Sequence, residues 1–511
     1  MLMEPLRSNR ARVSHSTVRM IPPPTGGWNA RDSLTDMKAD EAITLDNFIP
    51  GDGGVAIRPG YASHVTGITG PVHTLMEYSS ATAQKLFAAN ATEIYDATTA
   101  GAVGAAAVSS LTNGKWQHTM FATTGGQFLV IANGADSVRN YDGSSWTTPS
   151  ITGVTSANLI TVTEHVSRLW FIEKDTMKVW YLPALAIAGA ATSIDFGGLS
   201  ELGGELTAMA TWTRDGGIGI EDFAAFITSE GEVHIYSGSD PASATTWERV
   251  GTFRIPEPIG RRCIMKAGGD VGVLTTQGLV PLSGVLSRAE SAQGRVAITD
   301  KIRNAVTTAV ISDLTTFGWQ PFEYPRGKII LINVPSTTAA QTVQFVMNSN
   351  TGAWCRFTGI DALSWSLLDQ DLYFAGSGGT IYKYDNGSSD NGTAITGIAI
   401  SAFGLLGTPR TKCIRRVKPL FFGPAGYRPG VGFGFDYSED VTFSAPQLGS
   451  GGSPWDTSPW DTSSWENLTP NKNWQGSQGE GFSVAYALSA TLDGIFTHNG
   501  ALVLTETGDQ L

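Results

Sequence analysis

The residue types that carry most enzyme chemistry are scattered through this sequence without the spacing that a reaction centre needs. The seven histidines show neither HxxxH nor HExxH spacing, and no GxSxG, GxxxxGK[ST] or GxGxxG motif occurs. The acidic pair Asp369 and Asp371 lies in a predicted turn before a strand, which favours solvated carboxylates over a general acid/base pair. We therefore predict that the protein is not an enzyme and that it holds no metal or cofactor.

Charge limits the partners of the chain. Lys and Arg number 34 against 46 Asp and Glu, so the formal net charge is −12. This balance argues against binding nucleic acid by neutralising phosphates, but it is compatible with a passage through which DNA slides. The tight basic pairs Arg261-Arg262 and Arg415-Arg416 are interpreted as rim charges or as salt-bridge partners at an interface.

The cysteines and the hydropathy pattern indicate the compartment. Cys263, Cys355 and Cys413 are odd in number and far apart, which predicts reduced thiols rather than disulfides or a zinc site. This pattern is typical of a protein assembled in a cytosol. No apolar run reaches membrane-spanning length, and the first residues carry no hydrophobic signal core.

The strands that would position any functional site are predicted from a hairpin pattern that recurs along the chain. In LYFAGSGGTIYKYDNG (Leu372–Gly387), aromatic and β-branched runs flank a glycine turn, which predicts an antiparallel hairpin. Similar stretches occur at Leu86–Asp96, Phe128–Gly143, Leu169–Leu182, Phe226–Gly238, Val271–Gly284 and Ile329–Asn348. The apolar residues that open the second strand are Ile94, Val138, Val179, Val233, Leu279, Val343 and Ile381, in steps of 44, 41, 54, 46, 64 and 38 residues.

This interval predicts a mainly β fold with a β-propeller. Repeats of about 40–50 residues with four short strands each are typical of propeller blades. Several repeats end in a turn followed by a tryptophan, at Trp146, Trp247 and Trp354, which we expect to fill space between neighbouring sheets. A β-sandwich is the alternative, because its hairpins have a similar composition, although sandwiches rarely keep so long a period.

The domain boundaries follow changes of composition. We predict a flexible N-terminal arm at 1–25, an ordered segment at 26–60 and a propeller of six to eight blades at 61–390. The segment at 26–60 includes a strand-turn-strand, Leu45–Ile49 followed by Val55–Arg58.

An amphipathic helix is predicted within the propeller region near 299–314, with Thr299 or Asp300 as its N-cap. Its apolar residues at helical spacing are Ile302, Ala305, Val306, Ala309 and Val310. Such a face favours packing on the propeller rim, and docking of a partner is the alternative.

The C-terminal region, 391–511, is predicted to be a separate β-rich, sandwich-like domain with a tryptophan-rich loop at 450–475. The loop holds a direct repeat of PWDTS and a degenerate third copy. Tryptophans on a loop rich in Pro, Ser and Gly predict docking onto a neighbouring subunit or another protein, with packing on their own domain as the alternative. The residues are Trp455, Trp460 and Trp465.

Two stretches resemble one family of proteins. GGWNARDS, an acidic stretch and LDNFIPGDGGVAIRPGY resemble the opening of the tail nozzle, or tail-hub and stabilisation, proteins of short-tailed bacteriophages. The repeat WDTSPWD, preceded by a strand ending in Phe435, Asp436 and Tyr437, is also similar to these proteins. The matching N-terminal residues are Gly26, Gly27, Asn29, Arg31, Asp32, Asp46, Asn47, Pro50, Arg58, Pro59 and Gly60.

The resemblance implies a structural virion protein of the phage tail, assembled in the cytoplasm of the bacterial host. It implies a hexameric ring that closes the tail tube below the portal and its adaptor, with tail fibres or spikes as further neighbours. Genomic double-stranded DNA would pass through the ring during ejection without sequence-specific binding. The candidate residues at subunit or partner interfaces are Trp28, Arg31, Trp455, Trp460 and Trp465.

Two functions of other classes stay open. A carbohydrate-binding, lectin-like propeller or a receptor-binding tail component would use exposed aromatic side chains to stack on sugar rings. A polysaccharide hydrolase would need arginines and carboxylates clustered at the propeller hub, which linear sequence does not show.

Overall fold

The protein was analysed as a computed structural model, and the residues that it describes are 16–215, 220–243, 245–286, 297–338, 342–447, 469–471 and 473–507. Strands account for 51% of the protein and helices for 4%, so the fold is mainly β as the sequence predicts. The chain forms two compact units, one of Met1–Arg58 with Ala394–Leu511 and the other of Pro59–Thr393.

Short strands open the first unit. The predicted strand-turn-strand is confirmed as an antiparallel hairpin of the fourth and fifth strands, in which Phe48 lies opposite Ile57. Asn47 has a left-handed backbone with φ of 57°, and it separates the third strand from the fourth. The strands are β1 (Ser16–Ile21), β2 (Gly27–Trp28), β3 (Glu41–Asp46), β4 (Phe48–Pro50) and β5 (Val55–Ile57).

The second unit begins with a single strand and continues as antiparallel meanders. Its first three meanders are β7–β9, β11–β14 and β16–β18 with β20. The strands are β6 (Tyr61–Thr66), β7 (Thr74–Ser79), β8 (Gln84–Ala89), β9 (Ile94–Asp96), β10 (Gly101–Ala102), β11 (Gln117–Thr123), β12 (Gly126–Ala132), β13 (Arg139–Tyr141), β14 (Trp146–Thr147), β15 (Ile151–Thr152), β16 (Leu159–His165), β17 (Arg168–Glu173), β18 (Lys178–Tyr181), β19 (Gly189–Ala190) and β20 (Thr192–Asp195), with a 3-10 helix at Ser156–Asn158.

Four further meanders follow in the same pattern, β21–β24, β25–β27, β28–β31 and β32–β34. The elements are β21 (Leu206–Asp215), β22 (Ile220–Thr228), β23 (Glu232–Gly238), β24 (Trp247–Arg254), β25 (Ile264–Ala267), β26 (Asp270–Thr275), β27 (Gly278–Pro281), α1 (Leu282–Leu286), a 3-10 helix (Asp300–Ile302), α2 (Arg303–Asp313), β28 (Gln320–Tyr324), β29 (Ile329–Val334), β30 (Val343–Asn348), β31 (Trp354–Thr358), β32 (Ser364–Leu368), β33 (Asp371–Ala375), β34 (Ile381–Tyr384) and β35 (Ser389–Asp390).

These meanders are the blades of a β-propeller, which confirms the predicted fold class. The apolar residues that the sequence aligned, from Ile94 to Ile381, lie in the third strand of each meander or directly before it. Among the described residues five meanders are sheets of their own, whereas β28–β31 and β32–β34 are not separate sheets. The predicted count of six to eight blades therefore stays a prediction.

Strands β8, β12 and β17 carry continuous apolar runs because both of their faces are covered. In β8, Leu86 and Ala88 belong to a core shared with residues of β33 and β34, whereas Phe87 and Ala89 belong to a core shared with β12. Strands β12 and β17 divide their residues between two cores in the same way. Since alternate side chains of a strand point to opposite faces, each blade contributes to two hydrophobic cores.

The propeller is closed by pairing of its first strand with its last meander. Strand β6 pairs antiparallel with β34, and Val65 lies opposite Ile381. Val65 is fully buried in the core that β8 shares with β34. The hydrogen bonds of β6 therefore join the two ends of the propeller sequence, which stabilises the ring against opening at one blade.

The turn tryptophans pack as predicted. Trp146 begins β14, and its ring centroid lies 5.0 Å from that of Phe87 in the preceding blade. Trp247 begins β24 and stacks on Trp170 of the preceding blade, with centroids 5.5 Å apart. Trp354 begins β31 and is 1% exposed. Large aromatic side chains at these positions fill the space between outer parts of the sheets.

The helix predicted at 299–314 is shorter. Helix α2 spans Arg303–Asp313 after the 3-10 turn, and its buried apolar residues are Ile302 and Val306. Thr299 does not cap it, because the Thr299 hydroxyl accepts a hydrogen bond from a backbone N–H of β27 at 3.1 Å. Thr299 is the N-cap residue of the 3-10 turn that precedes α2, as predicted, but its hydroxyl makes no capping bond because the tertiary partner competes for the same oxygen.

The C-terminal strands complete the first unit. They are β36 (Thr393–Ser401), β37 (Lys412–Gly423), β38 (Gly430–Phe435), β39 (Thr469–Pro470), β40 (Gln475–Gly476), β41 (Glu480–Gly481), β42 (Val484–Leu492) and β43 (Thr497–Thr507). Strand β43 pairs antiparallel with β37, and also with β1 and β5 from the start of the chain.

These pairings correct the predicted organisation at both ends of the chain. Residues 16–21, predicted to be part of a flexible arm, form β1, which is paired along its whole length with β43. The ordered segment at 26–60 and the C-terminal domain were predicted to be separate, yet β3 also pairs with β36. Both segments carry strands with unpaired edges, and pairing them with each other satisfies those backbone groups.

Candidate functional site

Of the five predicted interface residues, Trp28 and Arg31 lie in the described part of the chain. Trp28 is buried in β2 with 7% of its surface exposed, so it is a core residue rather than a docking residue. Arg31 forms an ion pair with Asp32, with 2.7 Å between Nε and Oδ1. The remaining candidates lie outside the described residues: Trp455, Trp460 and Trp465.

The first half of the family-like motif forms a local hydrogen-bond network. The Asn29 side-chain oxygen accepts from the backbone N–H groups of Arg31 and Asp32, both at 3.0 Å. The Asn29 amide donates to Asp32 Oδ2 at 2.8 Å and to Glu41 Oε2 at 2.7 Å. Asn29 and Glu41 are buried, at 4% and 3% exposed. These residues therefore fix the path of the loop between β2 and β3.

The second half of the motif joins the hairpin to the C-terminal strands. Arg58 is 1% exposed, and its Nε donates to Asn47 Oδ1 at 2.9 Å. The Asn47 amide donates to the carbonyl of Thr396 in β36 at 2.8 Å. In the propeller unit, a Cβ at Gly60 would lie 2.1 Å from the carbonyl oxygen of Ser389, so only glycine fits there. The motif residues thus have structural roles.

The polar cavity at the propeller hub is the strongest candidate for a functional site. It has a volume of about 520 Å³ and is lined by the first strands of all seven meanders, β7, β11, β16, β21, β25, β28 and β32. Charged and titratable side chains reach it from several blades, and they are His118, Glu164, Arg261, Arg262, Lys266 and Glu323. A volume of this size is typical of sites for small molecules.

Arg262 crosses the hub. It precedes β25, and its guanidinium donates to the carbonyl oxygens of His73 at 3.1 Å, Trp116 at 3.3 Å and Leu363 at 3.3 Å. It also donates to the Thr74 hydroxyl at 2.5 Å. These acceptors lie at the starts of β7, β11 and β32, so one side chain connects the entry segments of four blades.

Phe317 covers the guanidinium of Arg262. The Cζ atom of Arg262 lies 4.5 Å from the centroid of the Phe317 ring, and the Lys115 ammonium lies 4.9 Å from it. The His73 ring packs edge-on against the same phenyl ring, with 5.9 Å between centroids. Two cations on one aromatic ring are stabilised by its quadrupole although they repel each other.

A second cavity of about 560 Å³ adjoins the hub. Gln117, Arg261 and Arg262 line both cavities and so lie between them. Lys115, Lys174 and Asp175 bring further charges to the second cavity. Its lining thus carries four basic side chains and one carboxylate, the reverse of the overall charge of the protein.

A turn at Gly260 sets the direction of the chain at Arg261 and Arg262. Gly260 directly precedes them and has φ of 65°, a left-handed conformation that glycine adopts without strain. The next residue after the pair, Cys263, is fully buried. The chain therefore turns at Gly260 and is anchored at Cys263, which holds Arg261 and Arg262 at the entrance to β25.

Burial sets the protonation of the hub. Desolvation by the cavity walls lowers the pKa of Arg262 to about 9 and that of His118 to about 4, where the Arg262 charge adds to the effect, although the surface of His118 is open to the cavity solvent. Burial, followed by the charges of Lys115 and Arg262, also lowers the pKa of His73. Both histidines are therefore neutral near pH 7 and able to accept as well as donate hydrogen bonds.

The sequence interpretation of Arg261-Arg262 as rim or interface charges was wrong. Their location at the hub was missed because the acceptors of Arg262 lie between 101 and 189 residues away in the chain. The signal available was the apolar setting of Arg262, which directly precedes the buried Cys263 in IGRRCI. By contrast Arg415 forms an exposed ion pair with Glu506, at 2.8 Å.

Neither a metal site nor a membrane-spanning helix is found among the described residues. Across those ranges, no group of three or more His, Cys, Asp or Glu side chains is arranged to hold a metal ion. In the same part of the chain no helix has the length and apolar character to cross a membrane.

Comparisons with known proteins found a low similarity to solved structures and no known family. No model of a protein family matches this chain, and no curated protein matches it. The structure of YCF48 bound to D1 peptide is 8% identical, with a TM-score of 0.37, and the match covers 67% of this chain and 98% of that one.

Two further solved structures are similar at the same level. The computationally designed Ika8 protein is 10% identical, with a TM-score of 0.35 and coverage of 63% of this chain and 99% of that one. A quinonprotein alcohol dehydrogenase-like protein from Bacteroides thetaiotaomicron is 12% identical, with a TM-score of 0.33 and coverage of 61% and 68%. Such low values carry no argument about what this chain binds or does.

Proposed function

We propose that this protein is a structural subunit of the tail nozzle of a short-tailed bacteriophage. In this role it forms a ring that closes the tail tube below the portal and its adaptor and contacts tail fibres or spikes. The ring encloses the channel through which the genome leaves the particle. The protein is located in the virion tail after assembly in the host cytoplasm.

The network built by the family-like motif is the observation that carries this proposal. Asn29, Arg31, Asp32, Asn47 and Arg58 all make specific hydrogen bonds or ion pairs within the first unit. A resemblance in residues that determine a local fold supports shared architecture better than a resemblance in surface residues would. A β-propeller lies between the two resembling stretches, as the hairpin repeats of the sequence predict.

The mechanism in the proposed ring is mechanical and electrostatic. Identical subunits in a head-to-tail arrangement bury one surface against a different surface of the neighbour, and the rotation closes the ring. With a net charge of −12, the protein provides acidic surface that can face the lumen and repel DNA phosphates. The duplex then slides through the channel without being held.

In this proposal the DNA channel is the space enclosed by several subunits and not the hub of one propeller. Arg262 lies between the two hub cavities, which are about 520 and 560 Å³ in volume, and Phe317 packs on its guanidinium. Basic side chains at the hub would also bind phosphates and slow a moving duplex.

Quantitative mass spectrometry of purified phage particles tests the proposal. We expect the chain in particles at about half the copy number of a twelve-fold portal, as a six-fold ring requires. Cryo-electron microscopy of the tail should then place it below the portal adaptor. Absence of the chain from particles would end the nozzle proposal and leave a carbohydrate-binding propeller, which a glycan array would test.

A variant tests the role of the tryptophan repeat in the ring. W455S/W460S/W465S should fold with unchanged circular dichroism but enter particles at strongly reduced copy number. W474S is the matched control, because Trp474 is 39% exposed and lies outside the repeat. Normal incorporation of the triple variant would exclude the repeat from the proposed interface.

A further inference from the structure

The second hub cavity reverses the charge of the protein locally. Its lining includes the side chains of Lys115, Lys174, Arg261 and Arg262 and a single carboxylate, that of Asp175. These cations come from three different segments of the propeller unit, so the cluster is a product of the fold and not of one basic run in the sequence. Cavity walls of low polarisability concentrate the field of such a cluster.

The positive charge is not neutralised by ion pairs. In the part of the chain that the structure describes, none of the four side chains forms a salt bridge with a carboxylate. Arg262 donates only to carbonyl and hydroxyl oxygens. Arg261 donates to the carbonyl oxygen of Asn133 at 3.3 Å. Its electrostatic attraction to Glu205 and Asp175 acts at longer range than an ion pair.

The cavity also has the size and the surfaces of a ligand site. Its volume of about 560 Å³ lies in the range of small-molecule sites. Phe317 supplies an apolar wall, and Gln117 and Asn113 supply polar groups that can orient a ligand. Lys115 is exposed and Lys174 is half-buried, so both ammonium groups can move to meet a ligand.

We propose that this cavity binds a small polyanion that carries phosphate or carboxylate groups. Arg261 and the two lysines contact the anionic groups, while Arg262 stays bonded to the entry segments of the blades and contributes its charge from the back of the site. A bound anion would offset the desolvation that lowers the pKa of Arg262. The proposal is independent of the role in a phage tail.

Isothermal titration calorimetry of the full chain tests the proposal with two probes, inorganic pyrophosphate and citrate. We expect saturable binding of one probe molecule per chain, and an affinity that falls as salt is added because the interaction is ionic. Binding of pyrophosphate but not citrate would assign a phosphate ligand, and the reverse would assign a carboxylate ligand.

The variant K115A/K174A should bind the probe at least about tenfold more weakly, since two of the charges that contact the anion are lost. K178A is the matched control, because Lys178 lies in β18 close in sequence to Lys174 but does not line the cavity. Thermal unfolding at unchanged temperature would show that both variants are folded, since neither lysine is buried.

Three results would overturn the proposal. One is the lack of saturable binding by the wild-type chain with either probe. Another is equal binding by the wild type and by K115A/K174A, which would place the probe elsewhere. The third is displacement of the bound probe by a short DNA duplex at a lower concentration than the unbound probe itself requires. This result would identify a nucleic-acid surface instead.

Discussion

The guanidinium of Arg262 donates to the hydroxyl of Thr74 over 2.5 Å, although the two residues are 188 positions apart. The same hydroxyl donates to the carbonyl of Gly114 at 2.6 Å and accepts from the backbone N–H of Trp116 at 3.1 Å. Thr74 is 1% exposed. Arg262 and Thr74 together therefore couple the entry segments of several blades through one buried network.

Replacing Arg262 should destabilise the propeller. R262M removes the Arg262 donor from the carbonyl oxygens of His73 and Leu363, and each unsatisfied acceptor costs about 1–3 kcal/mol. We expect a loss of about 3 kcal/mol in the free energy of unfolding, measured by urea titration of tryptophan fluorescence.

The matched control for R262M is R326M in the same unit. Arg326 is 60% exposed in its ion pair with Asp371, so its removal should cost less than about 1 kcal/mol. Equal urea midpoints for the two variants would show that Arg262 does not brace the hub.

A second buried network should be equally sensitive. Asn333 is fully buried; its amide donates to the carbonyls of Gly318 and Ala362, both at 2.8 Å. Its oxygen accepts from the Gln344 amide and the Trp365 indole, both at 3.0 Å. N333A leaves four partners unsatisfied, and we expect a loss of about 2–4 kcal/mol in urea unfolding.

N350A serves as the control for Asn333, because the Asn350 side chain is exposed. It should unfold within about 0.5 kcal/mol of the wild type. A similar small effect for N333A would contradict a structural role for the buried amide network.

Closure of the propeller by β6 should depend on the buried side chain of Val65. V65D places a carboxylate in the fully buried position opposite Ile381, where an unpaired charge is strongly unfavourable. We expect limited proteolysis to cut V65D within the propeller unit at protease concentrations that leave the wild type intact. T66D introduces the same charge at the neighbouring exposed position and should resist cleavage. Equal resistance of the two variants would show that β6 is dispensable for closure.

Acid should destabilise the protein through its buried histidines. Burial lowers the pKa values of His165 and His498 to about 4. As the pH falls, the unfolded chain takes up protons first, near pH 6.5, and the folded chain only near pH 4. Stability from the neutral rings is therefore complete above about pH 6.5 and is lost as the pH falls towards 4, by on the order of 3 kcal/mol for each ring.

Urea midpoints measured between pH 7 and pH 4 test this prediction. H498F keeps an aromatic ring in the 1% exposed site without a titratable group, so it should lose part of the pH dependence. An unchanged pH profile in H498F would contradict the contribution of His498.

The fold of the propeller could be predicted from sequence because its signals are local. Hairpin composition and the positions from Ile94 to Ile381 identified the third strands of the blades, since alternation and turn residues act within a few positions. The turn before Trp146 is also a local signal, because its Asp, Gly and Ser residues are adjacent in YDGSSW. Leu86 and Phe87 lie in two different cores. This follows from the same alternation, because neighbouring side chains of a blade strand point to opposite faces of the sheet.

The rest could not be predicted because it depends on contacts between distant residues. Pairing of Ser16 with Glu506 and bonding of Arg262 to Thr74 leave no periodic trace in the sequence. Composition also gave the wrong prediction for Trp28, because a tryptophan after two glycines has the same local signature whether it is buried or exposed. The charge reversal at the hub was hidden for the same reason, since its cations come from separate segments.

Pairing between the two ends of the chain has a consequence for synthesis on the ribosome. Strands β1 and β5 leave the exit tunnel early, but their partner β43 follows only after the 335 residues of Pro59–Thr393 and most of the C-terminal strands. The propeller can close on β6 and β34 before that partner exists. During this interval the nascent N-terminal strands expose open edges that invite aggregation, so translation speed and chaperones should influence the yield of this protein more than the stability of its finished fold does.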